Sequence, residues 1–124
     1  MSVVDIAELL PLTPASFHIL LVLAAGPAHG YAIMQEVPRM TEGASQLGPG
    51  TLYRTIQKLV EGDLIAAMGA DHDDERRVPY RLTKRGDAAA RAEAERLAVL
   101  LRVAEKRRLI SLKARAGRTR SAHA

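Results

Sequence analysis

From Pro14 to Ala28 the chain carries no charge, and apolar residues occupy almost every position of that stretch. Thr13-Pro14 is a helix start: threonine caps free amides through its side chain, and proline suits the first helical position, where no amide partner is needed. Gly26-Pro27 ends the helix near Ala25. Phe17, Leu20, Leu21 and Ala24 form a stripe at spacings of three and four, while Ile19, Val22 and Leu23 fill most of the remaining circumference. A helix apolar nearly all round must be covered on more than one side, so part of its cover is expected from a second copy of the chain.

Amphipathic patterning follows. A second helix is expected over about His29 to Val37, with His29 as its cap and Ala32, Ile33 and Val37 inward, up to a break or kink at Pro38. After the loop Thr41–Gln46, Gly48-Pro49-Gly50 sets a tight start for a third helix, which a left-handed Gly62 terminates after Glu61. At about 100° per residue, Leu52, Ile56, Leu59 and Val60 cluster on one side of this helix and Arg54 lies opposite their centre. Thr51, Gln57, Lys58 and Glu61 flank Arg54, and Tyr53 sits at the border. The outer face is rich in hydrogen-bond donors that have no evident partner within the chain.

Leu64–Met68 and Val78–Leu82 then read as two short strands, the second with Val78, Tyr80 and Leu82 on one face, joined through the polar loop Gly69–Arg77. Pro79, having no amide for a ladder, is expected on an edge strand or at a bulge, which makes this a small exposed hairpin. Thr83 caps a last helix over Lys84–Lys113, with Ala90, Ala94, Leu97, Leu101 and Ala104 as a seam and Leu100 and Val103 beside it. Such a helix would be about 45 Å long, more than a domain of this size can cover, so its seam is expected to meet a second copy. The sequence therefore divides into residues 1–83, which contain three helices and a hairpin, a dimerisation helix over 84–113, and a disordered basic tail over 114–124. The fold class is mainly α with a small β-hairpin.

Composition narrows the function. The 124 residues suit one fold unit with a modest core. Aromatic content is 3%, with no Trp and a single Phe, so that core is built from Leu, Ile, Val, Ala and Met. The lack of Cys excludes disulfides, thiolate zinc sites and cysteine nucleophiles. No basic segment leads into a long apolar core at the N-terminus, and His18–Ala25 is too short to cross a bilayer; a cytoplasmic protein with no membrane partner is expected. The net charge of +4 suits a polyanionic partner. Its distribution is uneven: up to Gly62 the basic residues are Arg39, Arg54 and Lys58, whereas from Arg102 onward eight cations face Glu105 alone.

Three helices, a hairpin and a long final helix, in that order, describe a winged helix-turn-helix with a long C-terminal dimerisation helix. Three segments make the match more specific: "LTPASFHILLVLAAGPAHGYAIMQEV" (Leu12–Val37), "LGPGTLYRTIQKLVEGDLI" (Leu47–Ile65) and "DERRVPYRLTKRG" (Asp74–Gly86). Together they resemble the PadR-like transcriptional regulators, in particular the short members with one C-terminal helix, over Leu12 to about Leu101. The resemblance implies a cytoplasmic homodimer that binds double-stranded operator DNA, usually as a repressor, and in some members releases it when a small-molecule effector arrives. On that reading the outward face of the third helix lies in a major groove. Arg pairs bidentately with guanine and Gln with adenine, which makes Arg54 and Gln57 the base readers. Thr51, Tyr53 and Lys58 are placed for phosphates, Gly30 and Tyr31 approach the DNA backbone at the start of the second helix, and Arg76 and Arg77 reach phosphate or the minor groove from the wing. The dimer interface falls to Phe17, Leu21, Ala94, Leu97, Leu101 and Ala104, and an effector would enter an apolar gap near Phe17, Leu21, Leu97 and Leu101. Two departures stand out: Val78-Pro79 replace a third basic or aromatic wing residue, and Pro38 interrupts a helix that usually continues.

Each group has a plainer reading beside this one. Arg54 and Lys58 also suit a solvated helix face, and the same helix could dock on an acidic protein, making the chain a winged-helix interaction module without specific DNA binding. His18 and His29 lack further ligands at metal spacing; His29 is read as a cap and His18 as part of an interface. Asp71–Glu75 clusters carboxylates but lacks a calcium loop's glycine and spacing, and reads as a solvated wing tip. The basic tail either adds sequence-independent DNA affinity or is a solvated terminus. No Ser or Thr has a His and a carboxylate at motif spacing, and no phosphate-cradling loop occurs, so neither an enzyme nor a cofactor or metal is expected.

Overall fold

The computed structural model describes residues 5–69 and 77–113. The chain divides into two compact units, Met1–Glu93 and Ala94–Ala124. The described residues form α1 (Ile6–Leu9), α2 (Pro14–Ala24), β1 (Ala28–His29), α3 (Gly30–Met40), α4 (Pro49–Glu61), β2 (Ile65–Ala67), β3 (Pro79–Leu82) and α5 (Lys84–Lys106). The result is the mostly helical winged helix-turn-helix that the patterning predicts. Arg76, the acidic cluster Asp71–Glu75 and the tail over 114–124 lie outside the described residues.

Local chemistry starts most helices where expected. Thr13 accepts the amide of Ser16 at 3.1 Å and Pro14 occupies the first turn of α2. His29 caps α3, its Nδ1 accepting the Ala32 amide at 3.3 Å. The Thr83 hydroxyl accepts from the Gly86 amide at 2.9 Å and donates to the Asp63 carbonyl at 2.6 Å, so one side chain both caps α5 and ties it to the exit of α4. Gly26, at φ +144°, provides the turn after α2 that a residue with a Cβ would resist.

Several expectations are corrected. The helix α3 passes through Pro38 to Met40: a proline this close to a helix end removes only one internal bond, that to the carbonyl of Met34, and the Thr41 amide and hydroxyl both bond Val37 beyond it. Gly62 has φ −81° and is not left-handed; Asp63 takes that conformation at φ +60°, with the Leu64 amide returning to Leu59 at 2.9 Å. A short polar side chain tolerates it. Helix α5 stops at Lys106, seven residues before Lys113. It closes through Arg108 at φ +63°, with the Leu109 amide on Ala104 at 2.9 Å and the Glu105 carboxylate taking the Leu112 amide at 3.2 Å. No glycine or proline marks that stop.

The sheet is larger than a hairpin. Strand β3 is central in the order β1-β3-β2, with Ala28 opposite Tyr80 and Ile65 opposite Leu82 in antiparallel register. Pro79 therefore sits in the middle strand rather than at an edge. Residues of an antiparallel strand aim amide and carbonyl at the same neighbour; the Pro79 carbonyl accepts from Met68 at 2.8 Å, so its missing amide costs one bond at the outer end of β2 and none to β1.

One core serves the first unit. It joins Ile19, Leu20 and Leu23 of α2, Ile33 and Val37 of α3, Leu52, Ile56 and Leu59 of α4, Ile65 and Tyr80 of the sheet, and Ala89 and Ala90 of α5. Each large side chain contributes about 1.5–3 kcal/mol by leaving water. Gly86 lets α5 lie on the chain entering β2: a Cβ there would overlap the Leu64 carbonyl. Glu93, 2% exposed, is buried beside this core and accepts the Leu12 amide at 3.3 Å, which holds the segment leading into α2.

Candidate nucleic-acid interface

Helix α4 is seated by Leu52, Ile56 and Leu59, all buried, and this fixes which side chains look outward. Thr51, Arg54, Gln57 and Lys58 are exposed. Among the described residues, no hydrogen bond or ion pair engages the side chains of Arg54, Gln57 or Lys58. Some other surface cations are engaged: Arg91 donates to Asp87 at 2.8 Å, a contact that raises the pKa of the guanidinium, Arg102 meets Glu95 at 3.3 Å, and Arg39 lies 3.8 Å from Glu36. The first turn of α4 adds backbone donors. Gly48 offers no side-chain cap and the turn holds no acidic residue, so the amides of Gly50 and Thr51 keep their free hydrogens and the positive end of the helix dipole.

Val60 departs from its predicted place. It is 39% exposed instead of inward, because the inner face of α4 ends at Leu59 as the chain turns into Asp63. With Tyr53, Arg54 and Gln57 from α4, Ala67 from β2 and Tyr80 from β3, it lines a groove of about 560 Å³ between the helix and the sheet. Sequence patterning misses this groove, since its floor depends on how β3 is placed; the only local signal was Val60 standing at the edge of the apolar arc.

The remaining predicted contacts are placed as follows. Arg77 is exposed just before β3. Tyr31 is 47% exposed at the first turn of α3. Gly30 is buried, and the ring of Tyr53 covers it. A Cβ built on Gly30 would lie 2.7 Å from Cε1 and Oη of Tyr53. The His-Gly-Tyr and Gly-Thr-Leu-Tyr-Arg segments are thus in direct contact.

Apolar surface remains elsewhere. In the first unit Phe17 is half-buried and Leu21 exposed, on the flank of α2 that turns away from Ile19 and Leu23. In the second, Ala94 and Leu101 are exposed and Leu97 and Ala104 half-buried. Leu21 also borders a groove of about 450 Å³ between α2 and α3, with Pro27, Ala28 and Met40. The Nδ1 atom of His18 is buried without a hydrogen-bond partner among the described residues. Among those residues no group of His, Cys, Asp or Glu is arranged to hold a metal ion, and no helix is long and apolar enough to cross a membrane.

Comparison with known proteins agrees with this architecture. A transcriptional regulator from Clostridium thermocellum superposes with a TM-score of 0.63 at 24% identity, over 74% of this chain and 87% of that one. A PadR family transcription regulator from Clostridium difficile gives 0.63 at 21% identity, over 76% and 97%. The RosR protein of H. salinarum gives 0.59 at 24% identity, over 82% and 99%. These likenesses concern the fold. In sequence, the chain is 33% identical over 86 residues to an uncharacterized 37.1 kDa protein in transposon TN4556 of Streptomyces fradiae; the match takes in 69% of this chain and about a quarter, 24%, of that relative's length. The model of the transcriptional regulator PadR-like family matches residues 19–92, from the core of α2 into α5. With the winged helix-turn-helix and the donor-bearing α4 in place, the chain belongs to the PadR-like family of transcriptional regulators.

Proposed function

We propose that this protein is a homodimeric repressor that binds double-stranded operator DNA by laying α4 in the major groove. The observation that carries the reading is the outer face of α4, where Arg54, Gln57 and Lys58 are exposed and unengaged among the described residues while the opposite face is locked into the core. Free donors on a rigid helix match the acceptor edges of bases, and Arg54 and Gln57 have the fork geometries suited to guanine and adenine. Lys58, Thr51 and the amides at the start of α4 bind phosphate, with Arg77 and Arg76 adding contacts from the wing. Tyr31 approaches the backbone from α3, with Gly30 behind it under the ring of Tyr53.

The dimer uses the apolar flank of α2 at Phe17 and Leu21 and the seam Ala94, Leu97, Leu101 and Ala104 of α5. In this division residues 1–83 read DNA and the last helix joins the two copies, whose α4 helices stand about 34 Å apart to enter successive major grooves. An effector, where one acts, enters between the first long helix and the last helix of the partner near Phe17, Leu21, Leu97 and Leu101.

The test is fluorescence anisotropy with the DNA upstream of the protein's own gene and a scrambled duplex of equal length. The upstream fragment is expected to bind tighter, with log K falling against log salt by about 0.9 per neutralised phosphate. Equal affinity for both duplexes overturns the reading.

A further inference from the structure

We infer that Tyr53 is a positioning residue, a wedge that rests on Gly30 and fixes the rotation of α4, and that it governs base discrimination through this contact rather than by touching phosphate. The inference rests on α4 being the DNA-reading helix. Gly30 opens α3 directly after β1, at the point where the sheet and the helix-turn-helix join. A Cβ on Gly30 would lie 2.7 Å from Cε1 and Oη of Tyr53, closer than side chains tolerate, and a tight 3.0 Å from Cζ. Only glycine lets the ring edge come that near. Gly30 is buried while Tyr31 beside it is 47% exposed, so the start of α3 presents a residue without a Cβ to the ring of Tyr53.

The wedge has leverage. Tyr53 sits on the flank of α4, next to Arg54 and one turn before Gln57, and with Arg54, Gln57 and Tyr80 it borders the groove facing the sheet. Leu52, Ile56 and Leu59 press one side of the helix into the core but leave rotation about its axis to be set at the flanks. A turn of about 20° moves a side-chain tip, some 5–6 Å from the axis, by roughly 2 Å. That exceeds the tolerance of a bidentate hydrogen-bond pair. Phosphate contacts, made by flexible side chains and backbone amides, survive a shift of this size better. Loss of the wedge should therefore reduce preference between sequences more than it reduces affinity for DNA in general.

A double-mutant cycle on the full-length chain tests this, with Gly30→Ala, Tyr53→Ala, Gly30→Ala/Tyr53→Ala and Tyr53→Phe. Affinity for the upstream duplex and the scrambled duplex is read for each variant, together with its melting temperature. Gly30→Ala is expected to lower the operator-to-scrambled ratio. The double variant should lose less than the product of the two single losses, by roughly tenfold, the middle of the range for residues in contact. Tyr53→Phe keeps the ring on Gly30 and should retain the ratio. Multiplicative losses in the cycle, or a uniform fall in affinity for both duplexes in Tyr53→Phe, overturn the proposal, the latter by making the hydroxyl a phosphate ligand. Should Gly30→Ala fail to fold, recovery of a cooperative melt in the double variant supports the wedge, and an unfolded double variant overturns it. If the wild type shows no operator preference, the DNA reading fails by itself, and the melting cycle still decides whether Tyr53 and Gly30 are coupled.

Discussion

Helix α4 and the part of α5 beyond Glu93 are both helices with an uncovered face, yet the faces are opposite in kind. On α4 the apolar residues Leu52, Ile56 and Leu59 are consumed by the core and what remains outside is mainly polar, with Thr51, Arg54, Gln57, Lys58 and Glu61 exposed and Val60 at the edge. On α5 the residues left outside include Val99, Leu100, Leu101 and Val103. Exposed donors lose nothing in water and gain from an oriented polyanion, whereas a contiguous apolar face costs free energy until something dry covers it. Exposure alone therefore identifies neither face; the chemistry of what is exposed tells which kind of partner each one suits.

Substitutions on the two helices should separate these roles. The largest effect belongs to the covered face of α4: Leu52→Ala, at a fully buried position, should cost about 2–5 kcal/mol of stability, read as a fall in the denaturant midpoint with DNA binding lost along with the fold. On α5, Leu101→Asp should leave the fold of the first unit intact and weaken self-association by about 2–3 kcal/mol, seen by sedimentation as a shift toward monomer. A variant that stays fully dimeric would move the interface off this seam. Returning to α4, Arg54→Ala should keep the melting temperature and reduce discrimination by about 1–3 kcal/mol at the base it reads; an unchanged ratio between operator and scrambled DNA would remove Arg54 as a reader. The smallest change is expected from Lys58→Ala, which should weaken all duplexes alike and flatten the salt slope by about 0.9.

Much of this contrast is legible in the letters. The wheel placed Leu52, Ile56 and Leu59 inside and Arg54 outside, and it placed Tyr53 on the border where the ring lies half-buried. Thr13, His29 and Thr83 were recognisable as caps because a side-chain acceptor ahead of a helix has few other local uses. What escaped was set at a distance along the chain. Strand β1 is two residues long and exists only because β3 passes beside it. Pro79 reads as an edge residue until the direction of its missing amide is known. Glu93 did carry a signal: it falls four residues after Ala89 and three after Ala90, on the inward row of α5, but its partner, the Leu12 amide, is 81 residues away in the chain.

Local chemistry, then, settled where the four longer helices begin, which face of α4 is apolar and where the cations lie, since propensity, capping and periodicity act over a few residues at a time; it did not show α1 or the early end of α5. Tertiary structure decided that Gly30 and Tyr53 touch, that Val60 borders a groove and that Gly86 must be small. These depend on how elements distant in sequence meet: a missing Cβ has meaning only against the atoms that occupy its place.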